Sequence, residues 1–355
     1  MLLAAAVAGA SAWAVSMATR DPQPPPPLAM PRPPTPAGTH PAGPLLRWVR
    51  DPAFRATLPA CWTNTSVRRC LAAGPDRILV DAWEERALWA FDDAGDLAAR
   101  IPYDAEMVEA CARNSASSWY CLIVGMDTAP DGSAVALVWP ESASARLIRV
   151  DRQGKWQVLT DLPALAPVSG MMRVVADSAG NVYLVERTDD LPGQMRDDPD
   201  DPEEQPFGVT LTRRMPDGHL SQVFPFNWGN TFGVMPDGEL LVVRRRRGDA
   251  ARYDASGGRL TRCRLRIPRE CSLLDDVLGG VGQGDAVVRY YCTGETPKWQ
   301  VGVCDGESGR LRSELLPIDG EIDEEAPIYW GRDGMLYVVS VGDDGPVLAR
   351  YRLVE

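Results

Sequence analysis

Histidine is nearly missing from this chain of 355 residues, with only His40 and His219. A Ser/His/Asp hydrolase needs an imidazole beside its nucleophile, and a His-rich metal centre needs several. His40 falls in a proline-rich stretch and His219 follows a turn, so neither is placed with a serine or cysteine nucleophile. Both chemistries are excluded. No Cys-x-x-Cys occurs, which excludes zinc ribbons and thioredoxin chemistry. A basic surplus is also lacking. The formal net charge is -12 and the pI is about 4.8, so the chain repels phosphate backbones and nucleic acid is not an expected partner. Beyond the N-terminus no apolar run is long enough to span a bilayer.

Eight cysteines are present, in four close pairs: Cys61 with Cys70, Cys111 with Cys121, Cys263 with Cys271, and Cys292 with Cys304. An even count at local spacing predicts disulfides and an oxidising compartment. The N-terminus agrees. Leu2 to Ala18 carries no charge and ends in small residues, as in a signal peptide or signal anchor spanning 1-20. No Lys or Arg precedes the apolar run, so cleavage and an uncleaved membrane tether both stay open. Residues 21-44 hold eleven prolines in 24 positions, which predicts an extended, unpacked spacer. The expected location is extracytoplasmic, periplasmic or secreted.

From residue 45 to 355 two kinds of turn alternate. The first is Gly74-Pro75-Asp76, Asp131-Gly132, Ala179-Gly180, Asp237-Gly238, Gly284-Asp285 and Asp333-Gly334, spaced 46 to 58 residues apart and each followed by an apolar strand such as AVALVW or VYLVE. The second is Asp93-Ala94-Gly95, Gln153-Gly154, Asp217-Gly218, Gly257-Gly258 and Ser308-Gly309. Short alternating runs between such turns are antiparallel strands. Four strands per repeat of this length make a propeller blade. The predicted fold is all-β, a six-bladed β-propeller. The chain ends in the third strand of blade six, so its fourth strand must come from elsewhere. Leu45 to Val49 (LLRWV) precedes the first inner strand and is predicted to supply it, closing the ring. An acidic insertion at 189-206, beginning DDLPGQMRDDPDDPEE, interrupts blade three.

The segments VVADSAGNVYLVE and LWAFDDAGDL resemble the two halves of the blade motif in NHL-like and regucalcin-like six-bladed propellers. The resemblance covers Leu45 to Glu355 and marks a blade rather than an activity. In the lactonases of that superfamily a Glu, two Asn and an Asp hold one divalent ion at the channel mouth. The motif NTFGVMPDG places Asn230 at one such position, although Thr231 stands where the family has glycine. Blade three has no matching Asn and blade one no Glu-Gly-Pro. Asp275, Asp276, Glu324 and Glu325 approach inner strands, so Asn230, Asp276 and Glu325 are the candidate ligands for Ca²⁺ or Mg²⁺. The tryptophan-docking spacing of quinoprotein dehydrogenases is absent.

The loop-rich face around the channel is the expected binding face. Arg244, Arg245, Arg246 and Arg247 lie there, at the end of a second strand, and the acidic insertion is expected beside them. Trp228 and Trp330 fall near loops or strand ends, where rings serve as stacking platforms or fill the core. The expectation is an exported binding module for a protein, peptide or carbohydrate in preference to an enzyme. A metal-dependent, lactonase-like hydrolase is the alternative.

Overall fold

The computed structural model describes residues 45–63, 70–106, 108–109, 121–140, 145–162, 173–187, 209–224, 226–227, 229–282, 284–293, 298–317, 328–342 and 345–355. The N-terminal apolar segment, the proline-rich spacer and the acidic insertion lie outside the described residues. Six antiparallel sheets make up the rest. Each inner strand pairs with the second, the second with the third, and the third with the outer. Blade one is Leu71–Ala73, Ile78–Ala82, Ala87–Phe91 and Leu97–Pro102. Blade two is Cys121–Thr128, Ala134–Pro140, Ala145–Val150 and Trp156–Leu162. Blade three is Val174–Ala176, Val182–Arg187, Val209–Arg214 and Leu220–Phe224. Blade four is Asn230–Val234, Leu240–Arg244, Asp249–Tyr253 and Arg259–Arg264. Blade five is Cys271–Val281, Asp285–Cys292, Lys298–Asp305 and the two-residue Leu316–Pro317.

Blade six takes Ile328–Trp330, Met335–Gly342 and Gly345–Val354 from the end of the chain and Arg47–Arg50 from its beginning. The register is Arg47 to Val354, Trp48 to Leu353, Val49 to Arg352 and Arg50 to Tyr351, so the expected closure is formed. It is also more extensive than a single strand. Ala56 and Thr57 return to pair with Leu348 and Val347 on the same long third strand. Leu46 bridges Ser313 at the rim of blade five. Arg350 locks the seam: its Nη2 lies 2.7 Å from Asp51 of the chain start and its Nη1 2.6 Å from Asp93 of blade one, with the guanidinium over the Phe54 ring. A ring whose ends pair leaves only short, protected strand edges.

The apolar runs are nearly continuous because both faces of each blade are buried. In blade one Ile78 and Val80 face blade six, while Leu79 faces blade two. Each of the six junctions between neighbouring blades holds its own apolar cluster. Burying one Leu or Ile contributes about 2 kcal/mol. The turn aspartates have a local task. Asp254 Oδ1 accepts the N–H of Ser256 and of Gly258, both at 2.8 Å, and Asp151 and Asp177 cap their turns in the same way. Much of the acidic excess is therefore turn chemistry.

The cysteine pairing differs from the local one. Cys271 is bonded to Cys292, its register partner across the inner hairpin of blade five. The predicted Cys263–Cys271 and Cys292–Cys304 bridges are therefore not formed. Cys263 lies on the outer strand of blade four, its thiol 3.1 Å from the Gly306 carbonyl, and Cys304 is a buried thiol 2.8 Å from the Tyr290 hydroxyl. The predicted Cys61–Cys70 bridge is also not formed. Cys61 is a buried thiol, and Cys70 donates to the Ile123 carbonyl at 3.0 Å. Close spacing along the chain misleads here because each bridge must join opposed positions, and antiparallel register opposes distant residues. The predicted Cys111–Cys121 pair involves Cys111, outside the described residues. Burial pushes the Cys61 and Cys263 thiols up to about 11 and Cys304 to about 12, so all three stay protonated and unreactive at neutral pH.

Candidate functional site at the mouth of blades four and five

Asn230 begins the inner strand of blade four and pairs with Arg244, the last residue of the second strand. That pairing puts the Arg244 to Arg247 turn at the same end of the ring as the entry to the inner strands. Arg245 N–H donates to the Gly229 carbonyl at 2.9 Å, and Gly248 N–H to Arg244 at 2.8 Å, which fixes the turn. Gly248 has a φ of +68°, a conformation that a side chain would strain.

Blade five supplies the acidic half. Its inner strand is interrupted by three irregularities in register, at Cys271/Leu273, Leu274/Asp276 and Val277/Gly279. Bulges of this kind re-aim side chains. The middle one separates the tasks of the consecutive Asp275 and Asp276. Asp275 Oδ2 accepts from Arg289 Nε at 2.6 Å on the second strand of its own blade, and Arg289 stacks over Trp299. Asp276 instead reaches across two blades. Its Oδ1 accepts from Arg173 Nη1 at 3.0 Å and from the Thr231 hydroxyl.

Arg173, just before the inner strand of blade three, is the centre of this network. Besides Asp276 it donates to the carbonyls of Phe232 at 2.7 Å and Leu278 at 2.6 Å, and to that of Val277. One guanidinium thereby ties blades three, four and five together. Inner strands approach their neighbours closely enough that a Cβ at Gly233 would collide with Val277, between blades four and five, and one at Gly279 with Trp330, between blades five and six. Burial pushes the Asp276 carboxyl up, but Arg173, Arg289, the Thr231 hydroxyl and Arg245 more than offset it, and its pKa lies below the ordinary carboxylate range. Asp127, on the inner strand of blade two, accepts from Ala176 N–H at 2.7 Å and stands near Arg332 and Arg173. Burial dominates there, and its pKa is raised.

The expected site residues are thus partly brought together. Asn230, Arg244, Arg245 and Asp276 share one mouth. Arg246 and Arg247 are exposed on the rim. Trp330 is no displayed platform: its indole donates to the Gly280 carbonyl at 3.2 Å and its ring meets Trp48 edge-on between blades five and six. Trp228 and Glu325 lie outside the described residues. Among the described residues no three His, Cys, Asp or Glu side chains stand together as a metal-ligand set. Arg173 and Arg289 were not singled out from sequence, since no motif surrounds them, and Thr231 was noted only as a departure from the family's glycine. The one available signal was the position of Arg173 immediately before an apolar inner strand.

A six-bladed β-propeller is the class that this geometry defines. No protein-family model matches the chain, and no curated protein matches it either. Among solved structures, a member of the DUF4221 family from Bacteroides vulgatus is similar over 88% of this chain and 99% of its own, at 10% identity and a TM-score of 0.54. A streptogramin B lyase is similar over 87% of this chain and 98% of its own, at 13% identity and a TM-score of 0.49. The PQQ-bound aldose sugar dehydrogenase of Streptomyces coelicolor is similar over 85% and 99%, at 13% identity and a TM-score of 0.47. At such identities the likeness is one of fold.

Proposed function

We propose that this chain is an exported propeller acting as a ligand-binding module, with the mouth of blades four and five as its binding face. One observation carries the choice over a metal-dependent hydrolase. Asp276, the carboxylate that a divalent ion would need beside Asn230, is already engaged by the Arg173 guanidinium at 3.0 Å and by the Thr231 hydroxyl. A guanidinium and a divalent cation repel one another at one carboxylate, so the residues described there suit a charge-paired scaffold better than a Ca²⁺ or Mg²⁺ cage. The Cys271–Cys292 bridge supports an oxidising, extracytoplasmic compartment, where an N-terminal tether would hold the ring on its spacer. A protein, peptide or carbohydrate is the class of partner.

The test combines metal analysis of the purified full chain with a hydrolysis screen of lactones and phosphoesters. The expected result is no stoichiometric divalent ion and no turnover. Turnover that requires Ca²⁺ or Mg²⁺ and vanishes in Asn230→Ala would establish the hydrolase instead.

A further inference from the structure

Arg173, Arg245 and Arg289 act on the Asp275 and Asp276 carboxylates at this mouth, beside Arg244. Arg289 is engaged by Asp275 and Arg173 by Asp276 and three carbonyls. Arg245 is different. Its peptide N–H fixes the turn, and its guanidinium acts on Asp276 through space. Its side chain is half-buried, and its Nε is shielded from water with no hydrogen-bond partner. A shielded N–H of a charged group without an acceptor is costly, and an anion held by the outer nitrogens of the same guanidinium offsets that cost. The neighbouring carboxylates do not turn such an anion away, since each already has its own guanidinium.

Resting on the reading of this face as a binding site, we infer that Arg245 is the anchor for an oxyanion of the ligand, a carboxylate or a phosphate gripped by the guanidinium fork. The planar fork matches two oxygens of either group, which a lysine ammonium does not. Asn230, whose backbone pairs with Arg244 at the same mouth, flanks the position. The exposed Arg262 on the outer strand of blade four is remote from this arrangement and serves as a control of equal charge.

The experiment is a titration of the folded full chain with inorganic phosphate and, separately, with citrate, at constant ionic strength, read by calorimetry and thermal shift. One of the two anions is expected to bind and to raise Tm: phosphate alone points to a phosphoryl ligand, citrate alone to a carboxylate. Arg245→Gln is expected to weaken that binding about tenfold or more, the loss of one charge-assisted hydrogen bond. Arg262→Gln should leave it unchanged. Arg245→Lys, which keeps the charge and loses the fork, should fall between, and it decides the matter if Arg245→Gln fails to fold by circular dichroism. No response of the wild type to either anion at roughly 10 mM, a concentration that nearly saturates a millimolar site, overturns the inference. So does an equal response in Arg245→Gln. A parallel Ca²⁺ titration separates the two levels. Silence toward anions with a Ca²⁺ response lost in Asn230→Ala overturns the proposed function too, whereas silence toward all three removes this inference alone.

Discussion

Asp81 and Asp276 are both carboxyls taken into the interior of the same ring, one on the second strand of blade one and the other on the inner strand of blade five. Asp81 is 1% exposed. Its Oδ1 accepts from the Tyr103 hydroxyl, its Oδ2 has no partner, and its neighbours are the Cys61 and Cys70 thiols and the Trp62 indole, which donates to its carbonyl at 2.6 Å. Among the described residues no cation answers it. Burial pushes its carboxyl up to about 7, and the Tyr103 hydroxyl only moderates the rise. Asp276, with Arg173 and Arg289 on either side, stays ionised. Burial is common to both, so the partner decides the charge state. The ring thus has a neutral polar spot between blades one and two and an ionic one between blades three, four and five.

The largest way to break the contrast is to remove the cation. Arg173→Ala leaves Asp276 charged and the carbonyls of Phe232, Val277 and Leu278 without a donor. A half-removed buried pair typically costs about 3 kcal/mol or more. Urea unfolding at pH 7 should show a loss of that order. A lowered native pKa means Asp276 stabilises the fold above the ordinary carboxylate pKa, a contribution lost as pH falls through the native one. The variant should therefore be less sensitive to acid than the wild type. Unchanged stability in Arg173→Ala would make the network ornamental.

Asp81 has the opposite sign. Its native pKa of about 7 lies above the ordinary value of 3.8, so the folded state holds a proton that the unfolded state releases. Stability from this group is intact below about pH 4 and declines as pH rises toward 7, by at most about 1.4 kcal/mol per unit. Asp81→Asn should flatten that decline, with a gain on the order of 2 kcal/mol over the wild type at pH 8. Parallel unfolding curves at pH 5 and 8 measure it. An identical pH profile in the variant would mean that another group is responsible.

The two spots differ in how far the sequence foretold them. The ring itself was legible because Gly and Asp punctuate period-two apolar runs, and hydrogen bonding leaves such runs few alternatives. The closure was legible from an outer strand that blade six lacked and LLRWV could provide. Asn230 and Arg245 were legible because they flank a strand pair whose register was predictable. Asp276 was named, but as a metal ligand. Its true partner, Arg173, lies 103 residues away, and only the approach of three inner strands joins them. Asp81 sits in a run, ILVDAW, that reads as ordinary strand, and nothing local says that its carboxyl is uncompensated. Cys271 and Cys292 could have been paired, since the Gly282 to Gly284 turn nearly bisects them. The local spacing drew attention away from that symmetry.

The finest test is to change the partner and leave each carboxyl in place. Tyr103→Phe removes the one hydrogen bond that favours ionised Asp81. Thr231→Val removes the corresponding hydroxyl from Asp276. Each deletion should cost about 1 kcal/mol at neutral pH or less. The distinguishing readout is pH. Without the tyrosine hydroxyl, the Asp81 pKa rises further and the decline in stability that begins near pH 4 runs on to a higher pH. Without the threonine hydroxyl, the Asp276 pKa rises toward the ordinary value and the acid-side contribution shrinks. A shrinking acid limb in Thr231→Val beside a longer decline toward neutral pH in Tyr103→Phe follows if partners set the charge of these two buried acids. Shrinkage of both limbs together would show that general loosening of the ring, rather than the local partner, controls them.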